Sequence, residues 1–422
     1  MLTPFELIAV LLALTAAFAW ANERFIGLPD TVGMLVMGLV ASILLLLVEL
    51  AFPHVALYEE LALIVRQVDF QRTVLEGMLA FLLFAGALHV NLGLLRSRAW
   101  MVGSLATIGV LLSTFIVGFG FFYLARLLGQ PLPLIWALVF GALISPTDPV
   151  AVLATLKAVK VPEQLEIDMT GESLFNDGVG VVVFSVLLAL ASGVGHSGGS
   201  AETGGDVLGT AALFAYEALG GAIIGLAGGY LAYFAMRSID NYSVEVLISL
   251  GLVAGFYALA TRVGMSGPIA VVVAGLIIGN RGQADAMSDI TQRYLFGFWT
   301  LIDEILNAIL FLLIGLEVLI LRAEAAFGWL PLLAIPLVLL ARFLAVGGPG
   351  LMLGRWMPLV PGTIPVLTWG GLRGGISVAL SLSIPEVAEK SLILAATYTV
   401  VVFSLIVQGL SLRRLVEWTV PR

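Results

Sequence analysis

From Phe5 to Leu412 the chain is a succession of apolar stretches separated by short polar or Gly/Pro punctuation. Most run about 18 residues or more, long enough to cross a hydrocarbon core about 30 Å thick. Lipid offers no partner to a backbone N–H or C=O, so only helices and closed barrels can span it. A barrel needs alternating segments of about ten residues, and these are absent. The chain is therefore read as an all-α polytopic membrane protein. Its composition agrees: 60% hydrophobic, 11% charged, mean hydropathy +1.09, against about 25% charged residues in soluble domains.

Cutting at the punctuation predicts about thirteen spans. They lie near 5–21, 31–52, 72–94, 98–125, 134–156, 166–191, 207–236, 243–261, 263–280, 295–321, 328–353, 362–384 and 391–412. The cut across Arg262 and Gly264 is the weakest. The first run lacks a basic leader region and reads as a retained span. With the N-terminus outside, twelve Lys/Arg residues fall on the inner side, Arg96 and Arg98 among them, and six on the outer. The excess of positive charge predicts that orientation, with the C-terminus cytoplasmic. The net charge of −8 is spread through loops and indicates no nucleic-acid partner; the lack of cysteine excludes disulfides and thiolate chemistry.

Asp148, Glu172, Asp177, Arg342 and Arg373 fall well inside these spans. A charge at the bilayer centre costs at least ~2.5–3.5 kcal/mol, so the five unpaired would cost on the order of 10 kcal/mol. Net stabilities are only ~5–15 kcal/mol. The five must pair or line a watered cavity. Glu172 with Arg342 reads as a helix–helix clamp, which leaves Asp148, Asp177 and Arg373, one acid in excess.

Three stretches carry these residues. In "GESLFNDGVGVVVF", Ser173, Asn176 and Asp177 share one helix face by their i, i+3, i+4 spacing. Neutral and charged oxygens together suit a small hard cation, and Gly178 and Gly180 leave room for another backbone. In "GALISPTDPVAVLATL", Pro146 and Pro149 take the donors that the carbonyls of Ala142 and Ser145 would otherwise receive. Alone, this reads equally as a proline kink with a capping aspartate. Beside the polar face it reads as a span broken at mid-membrane, adding Thr147 and Asp148 to the oxygen set. In "WGGLRGGISVAL" four glycines flank Arg373 and predict a second break. The broken spans, fifth and twelfth, lie seven helices apart. Spans 1–6 and 8–13 then form two inverted six-helix repeats joined by span seven, with the broken helices crossing at the midplane.

"SPTDPVAV", "ESLFNDGVGVVVF", "SGPIAVVVAGLIIGN", "FLLIGLEV" and "GLRGGISVALSL", in that order along nearly the whole chain, resemble the sodium/proton antiporters of the NhaP type. Those belong to the broad family that includes the eukaryotic exchangers. The resemblance implies an NhaA-like antiporter fold in a prokaryotic plasma membrane. It implies an ion-binding core, approximately 98–191 and 328–412, against a dimerisation scaffold, approximately 1–94 and 243–321, with 207–236 as linker helix. An elevator-like movement and a homodimer are implied too. Asp177 would carry the ion; Asn176, Ser173, Thr147 and Asp148 would be supporting ligands or helix fixers. Glu172 would pair with Arg342, and Arg373 would steady the crossing.

A carboxyl desolvated in a membrane pocket keeps its proton to higher pH, and a bound cation displaces it. Competition at Asp177 between one monovalent cation, Na⁺ or Li⁺, and one proton predicts electroneutral one-for-one exchange, since Asn176 adds no second titrating group. No cofactor is implied beyond the transported ions. Glu76 opens span three as a possible vestibule acid. Asp303, Glu304 and Asn307 put polar groups on span ten, and His54, His89 and His196 carry only a weak case for pH sensing. Gly221, Gly225 and Gly229 predict close packing of span seven. Rival readings are K⁺/H⁺ antiport, an ion channel and an intramembrane aspartyl protease. The protease lacks its GxGD element; a channel favours ligand rings over paired broken helices.

Overall fold

The computed structural model describes residues 3–51, 77–148, 152, 156, 159, 161–192, 207–317, 328–354 and 360–420. They are almost wholly helical. The first two helices are α1 (Pro4–Ala21) and α2 (Asp30–Ala51). After them come α3 (Leu79–Leu88), α4 (Leu92–Ser97), α5 (Ala99–Leu127) and α6 (Leu134–Ile144). The middle of the chain forms α7 (Glu163–Ala191), α8 (Val207–Arg237), α9 (Tyr242–Arg262), α10 (Gly267–Ile277) and α11 (Asp289–Glu317). The C-terminal part forms α12 (Leu330–Leu353), α13 (Thr363–Trp369), α14 (Gly375–Leu382) and α15 (Lys390–Thr419). Among the described residues, eight helices are long and apolar enough to cross a membrane. The other expected spans are shorter apolar helices or run beyond the described residues.

Local chemistry sets the ends. Asn241 caps α9 by accepting from Ser243 and Val244 N–H at 3.2 and 3.4 Å. Gly264, at φ 73°, turns the chain after α9, and Ser266 and Pro268 open α10. The doubtful cut at Arg262 and Gly264 thus falls between two helices. Glu163 and Glu166 in the first turn of α7 complement its dipole.

Small residues set the closest contacts. A Cβ on Gly315 of α11 would stand 2.7 Å from the Leu35 carbonyl oxygen of α2, and Ser42 donates to the Gly315 carbonyl at 2.9 Å. Gly221, Gly225 and Gly229 face Ser266, Ala270 and Ala274, so α8 lies flush on the start and body of α10. The buried apolar residues form two clusters. One joins α5, α6, α7 and α12–α15, and takes in Met34 and Leu35 of α2 and Leu310–Leu316 of α11. The other joins α3, α8, α9, α10 and the first half of α11 around Trp299. Helix α11 contributes to both, as do α5 through Val102 and α7 through Leu174 in the second cluster.

The fifth and twelfth expected spans are both interrupted. Helix α6 stops at Ile144; Val152 and Leu156, beyond the break, are helical and fully buried. Helices α13 and α14 are separated by Gly370–Gly374. The two extended peptides cross antiparallel, with Asp148 N–H donating to the Leu372 carbonyl at 2.8 Å.

Candidate functional site

The crossing is built from backbone groups that a broken helix leaves over. The Ser145 carbonyl, which Pro149 deprives of its helical donor, accepts instead from Arg373 Nη1, as does the Pro146 carbonyl at 2.8 Å. Arg373 is 1% exposed, and its backbone N–H goes to Ser404 Oγ at 3.0 Å. The glycines around it make room. A Cβ on Gly371 would strike the Arg342 guanidinium, one on Gly374 the Asp148 carboxylate, and one on Gly370 the Met169 side chain. On α7, a Cβ on Gly180 would strike the Pro146 ring, whereas Gly178 has no such close neighbour.

Helix α7 is tied to the break by its polar face. Asn176 Oδ1 accepts from Thr147 N–H at 3.3 Å while its Nδ2 donates to Thr147 Oγ1 at 2.7 Å. Ser173 Oγ lies 3.2 Å from the same hydroxyl. Asn176 is fully buried. Its amide is thereby engaged on both sides with one threonine, the geometry of a brace. One turn away, Glu172 meets Arg342 as a buried two-pronged pair, with Nη2 to Oε2 at 2.7 Å and Nη1 to Oε1 as the second contact. Arg342 Nε adds a bond to the Leu367 carbonyl at 3.1 Å, tying the pair to α13.

Thr147, Asp148, Ser173 and Asp177 all line one cavity of about 550 Å³. The same cavity is lined by α3, with His89 at its end, by Asp303, Glu304 and Asn307 of α11, and by Glu163 and Glu166 of α7. Asn307 Nδ2 holds Asp303 through its backbone carbonyl at 2.8 Å and its carboxylate at 3.1 Å. Asp177 is 9% exposed, and among the described residues no side chain or amide donates a hydrogen bond to it. The arrangement presents hydroxyl and carboxylate oxygens to a pocket fit for a bare or partly hydrated cation. Glu76, His54 and His196 lie outside the described residues.

Residues 10–418 match the family described as "Sodium/hydrogen exchanger, transmembrane". The chain belongs to that family. It is 49% identical over 98% of its length to the Na⁺/H⁺ antiporter NhaP of Pseudomonas aeruginosa, covering 96% of that protein. It is 35% identical over 97% of its length to the Na⁺/H⁺ antiporter NhaH of Halobacillus dabanensis, again covering 96% of it. The structure of the sodium proton antiporter MjNhaP1 of Methanocaldococcus jannaschii at pH 8 superposes with a TM-score of 0.73 at 20% identity, covering 99% of each chain. The protein is thus an integral membrane transporter with an antiporter fold.

Three features of this exchanger-family chain escape the sequence reading. Arg98, counted there among loop cations, is 8% exposed and pairs with Asp168 of α7, Nε to Oδ1 at 2.8 Å and Nη2 to Oδ2. Asp168 stands one turn before Glu172, so the 3.6-residue period alone could have marked it. Asn280, just past α10, donates to the Val90 and Leu276 carbonyls at 2.9 Å each and accepts from Leu92 N–H at 2.8 Å. It fastens the turn between α3 and α4. The third is a set of polar residues on α15, Ser404, Gln408 and Ser411, which face the α13–α14 break.

Proposed function

We propose that this transporter exchanges one monovalent cation, Na⁺ or Li⁺, for one proton at Asp177. The observation that carries the reading is the charge balance at the crossing. Three acids, Asp148, Glu172 and Asp177, face two arginines, Arg342 and Arg373. Glu172 is matched by Arg342. Asp148 sits against Gly374, the residue opening α14, where the helix dipole favours a carboxylate. Arg373 neutralises the carbonyls at the end of α6. Asp177 remains with one uncompensated charge on a cavity wall. It accepts a cation or a proton, and occupation by either leaves the pocket with the same total charge.

In this reading Ser173, Thr147 and Asp148 supply further oxygens, Asn176 braces the break, and the Glu172–Arg342 pair is structural. The names of the NhaP and NhaH relatives support the same ion pair for this chain. Alternating access follows from an elevator movement of a core, 98–191 and 328–412, against a scaffold, 1–94 and 243–321, joined by 207–236. What supports it is the cavity, which is lined by α7 and α14 of the core and by α3 and α11 of the scaffold. Inverted repeats 1–6 and 8–13 are supported by the two breaks in corresponding positions. The N-terminus is outside and the C-terminus cytoplasmic by the Lys/Arg count, and the transporter is a homodimer.

The test is a pH-sensitive dye in proteoliposomes. A pulse of Na⁺ or Li⁺ drives protons the opposite way, and the apparent KM for cation rises as pH falls, because protons occupy Asp177. A cation pulse that moves no protons overturns the reading.

A further inference from the structure

The peptide between α13 and α14 must find partners for its backbone inside the protein, because neither lipid nor a continuing helix supplies them. Within the crossing, the Leu372 carbonyl takes the Asp148 amide and the Gly370 carbonyl takes the Leu372 amide, each at 2.8 Å. The two ends of the peptide go elsewhere, to α15. Gln408 Nε2 donates to the Trp369 carbonyl at 2.8 Å, and Ser404 Oγ accepts from Arg373 N–H at 3.0 Å. The Trp369 indole N–H adds a bond to Ser411 Oγ at 2.8 Å.

Both α15 residues are placed at some expense. Ser404 is fully buried and Gln408 is 3% exposed, inside a predominantly apolar span. They begin and end a π turn, Ser404–Gln408, an interruption often found at working sites. Thr397 and Ser411 of the same helix return their hydroxyls to helix carbonyls, those of Ile393 and Val407. Ser404 faces a foreign amide instead.

We propose that Ser404 and Gln408 are positioning residues for cation binding. They pin the Trp369–Arg373 peptide at both ends, which gives the Leu372 carbonyl one placement. That carbonyl holds Asp148 N–H, and Thr147 and Asp148 line the cavity beside Asp177. Neither Ser404 nor Gln408 lines the cavity. They act on the ion through the crossing, so they set affinity and not the rate of the transport cycle. The inference rests on the reading of Asp177 as the exchange site.

The experiment compares Ser404→Ala, Gln408→Met and Ser404→Thr in the full chain in proteoliposomes, with Asp177→Asn as control. Loss of one such bond predicts an apparent KM for Na⁺ raised about three- to ten-fold in Ser404→Ala and in Gln408→Met. Maximal rate is kept, and Ser404→Thr, which retains the hydroxyl, brings KM back. Unchanged KM in both, or a lower maximal rate at constant KM, overturns the inference. So does failure of both to accumulate as folded protein, which would place these contacts in folding alone; if only one fails, the other decides. Exchange surviving in Asp177→Asn condemns the exchange-site reading itself, a separate outcome from any of these.

Discussion

Asp148 and Asp177 line the same cavity, yet their surroundings differ. Asp148 lies at the start of α14, so close to Gly374 that no Cβ fits between them. Asp177 has no described donor and only the cavity in front of it. Gly374→Ala should therefore abolish exchange by pushing the Asp148 carboxylate aside. The Glu172–Arg342 pair should survive, so the thermal midpoint in detergent would move far less than the transport rate. Asp177→Asn is expected to remove exchange with the fold retained. At the neighbouring position, Asn176 has no charge to carry, and wild-type flux should ignore an imposed membrane potential. Asn176→Asp keeps an oxygen for Thr147 N–H and adds a titrating group; a flux that became voltage-dependent would bear out the one-for-one reading. Voltage dependence in the wild type would count against it. That Ser173, Asn176 and Asp177 share one face of α7 was legible from helical spacing. That Asn176 turns its amide on Thr147 was not, because Thr147 is 29 residues away on another span.

At the scale of elements, ion pairs and glycines join the helices. Removing one partner of a buried pair strands the other charge, at a cost of about 3–5 kcal/mol. Arg342→Ala should lower the thermal midpoint clearly, and Glu172→Gln combined with Arg342→Met should recover part of the loss, measured by dye-detected unfolding in detergent. Glycine contacts predict the opposite kind of damage. Gly225→Leu would drive a side chain into the Ala270 backbone and separate α8 from α10, so expression and stability should fall. Both contacts illustrate how far reading by period can go. The glycine ladder on α8 was visible as a four-residue repeat, and Glu172 with Arg342 as one of several matches of depth and sign. Arg98 was misplaced because a cation at a span edge looks the same whether it meets water or a carboxylate. Only the packing of α7 against the start of α5 brings Asp168 to it.

For the whole molecule, the cavity is lined by helices of both proposed units, and the elevator reading requires those units to slide past one another. The chain has no cysteine, so thiols introduced at two positions are the only ones present. Glu166→Cys on α7 with Glu304→Cys on α11 puts one thiol on each of two helices that line the cavity. Bridging them with a short bifunctional reagent should stop exchange, and a cleavable bridge should restore it on reduction. Exchange that continued through the bridged protein would rule out relative movement of these two helices.

The linear chain by itself determined that this protein lives in lipid, where it is interrupted, and which charges had to be reconciled at depth. These follow from local quantities: apolar run length, proline and glycine placement, and the cost of an unpaired charge in hydrocarbon. Tertiary structure alone decided who reconciles them. Arg373 reaches a carbonyl 228 residues away, and Arg342 a carboxylate 170 residues away. The pins on α15 come from a helix that looks merely apolar when read alone. A hydrogen-bond partner is chosen by proximity in space, and in a bundle of crossed helices proximity is a property of packing that no stretch of sequence contains.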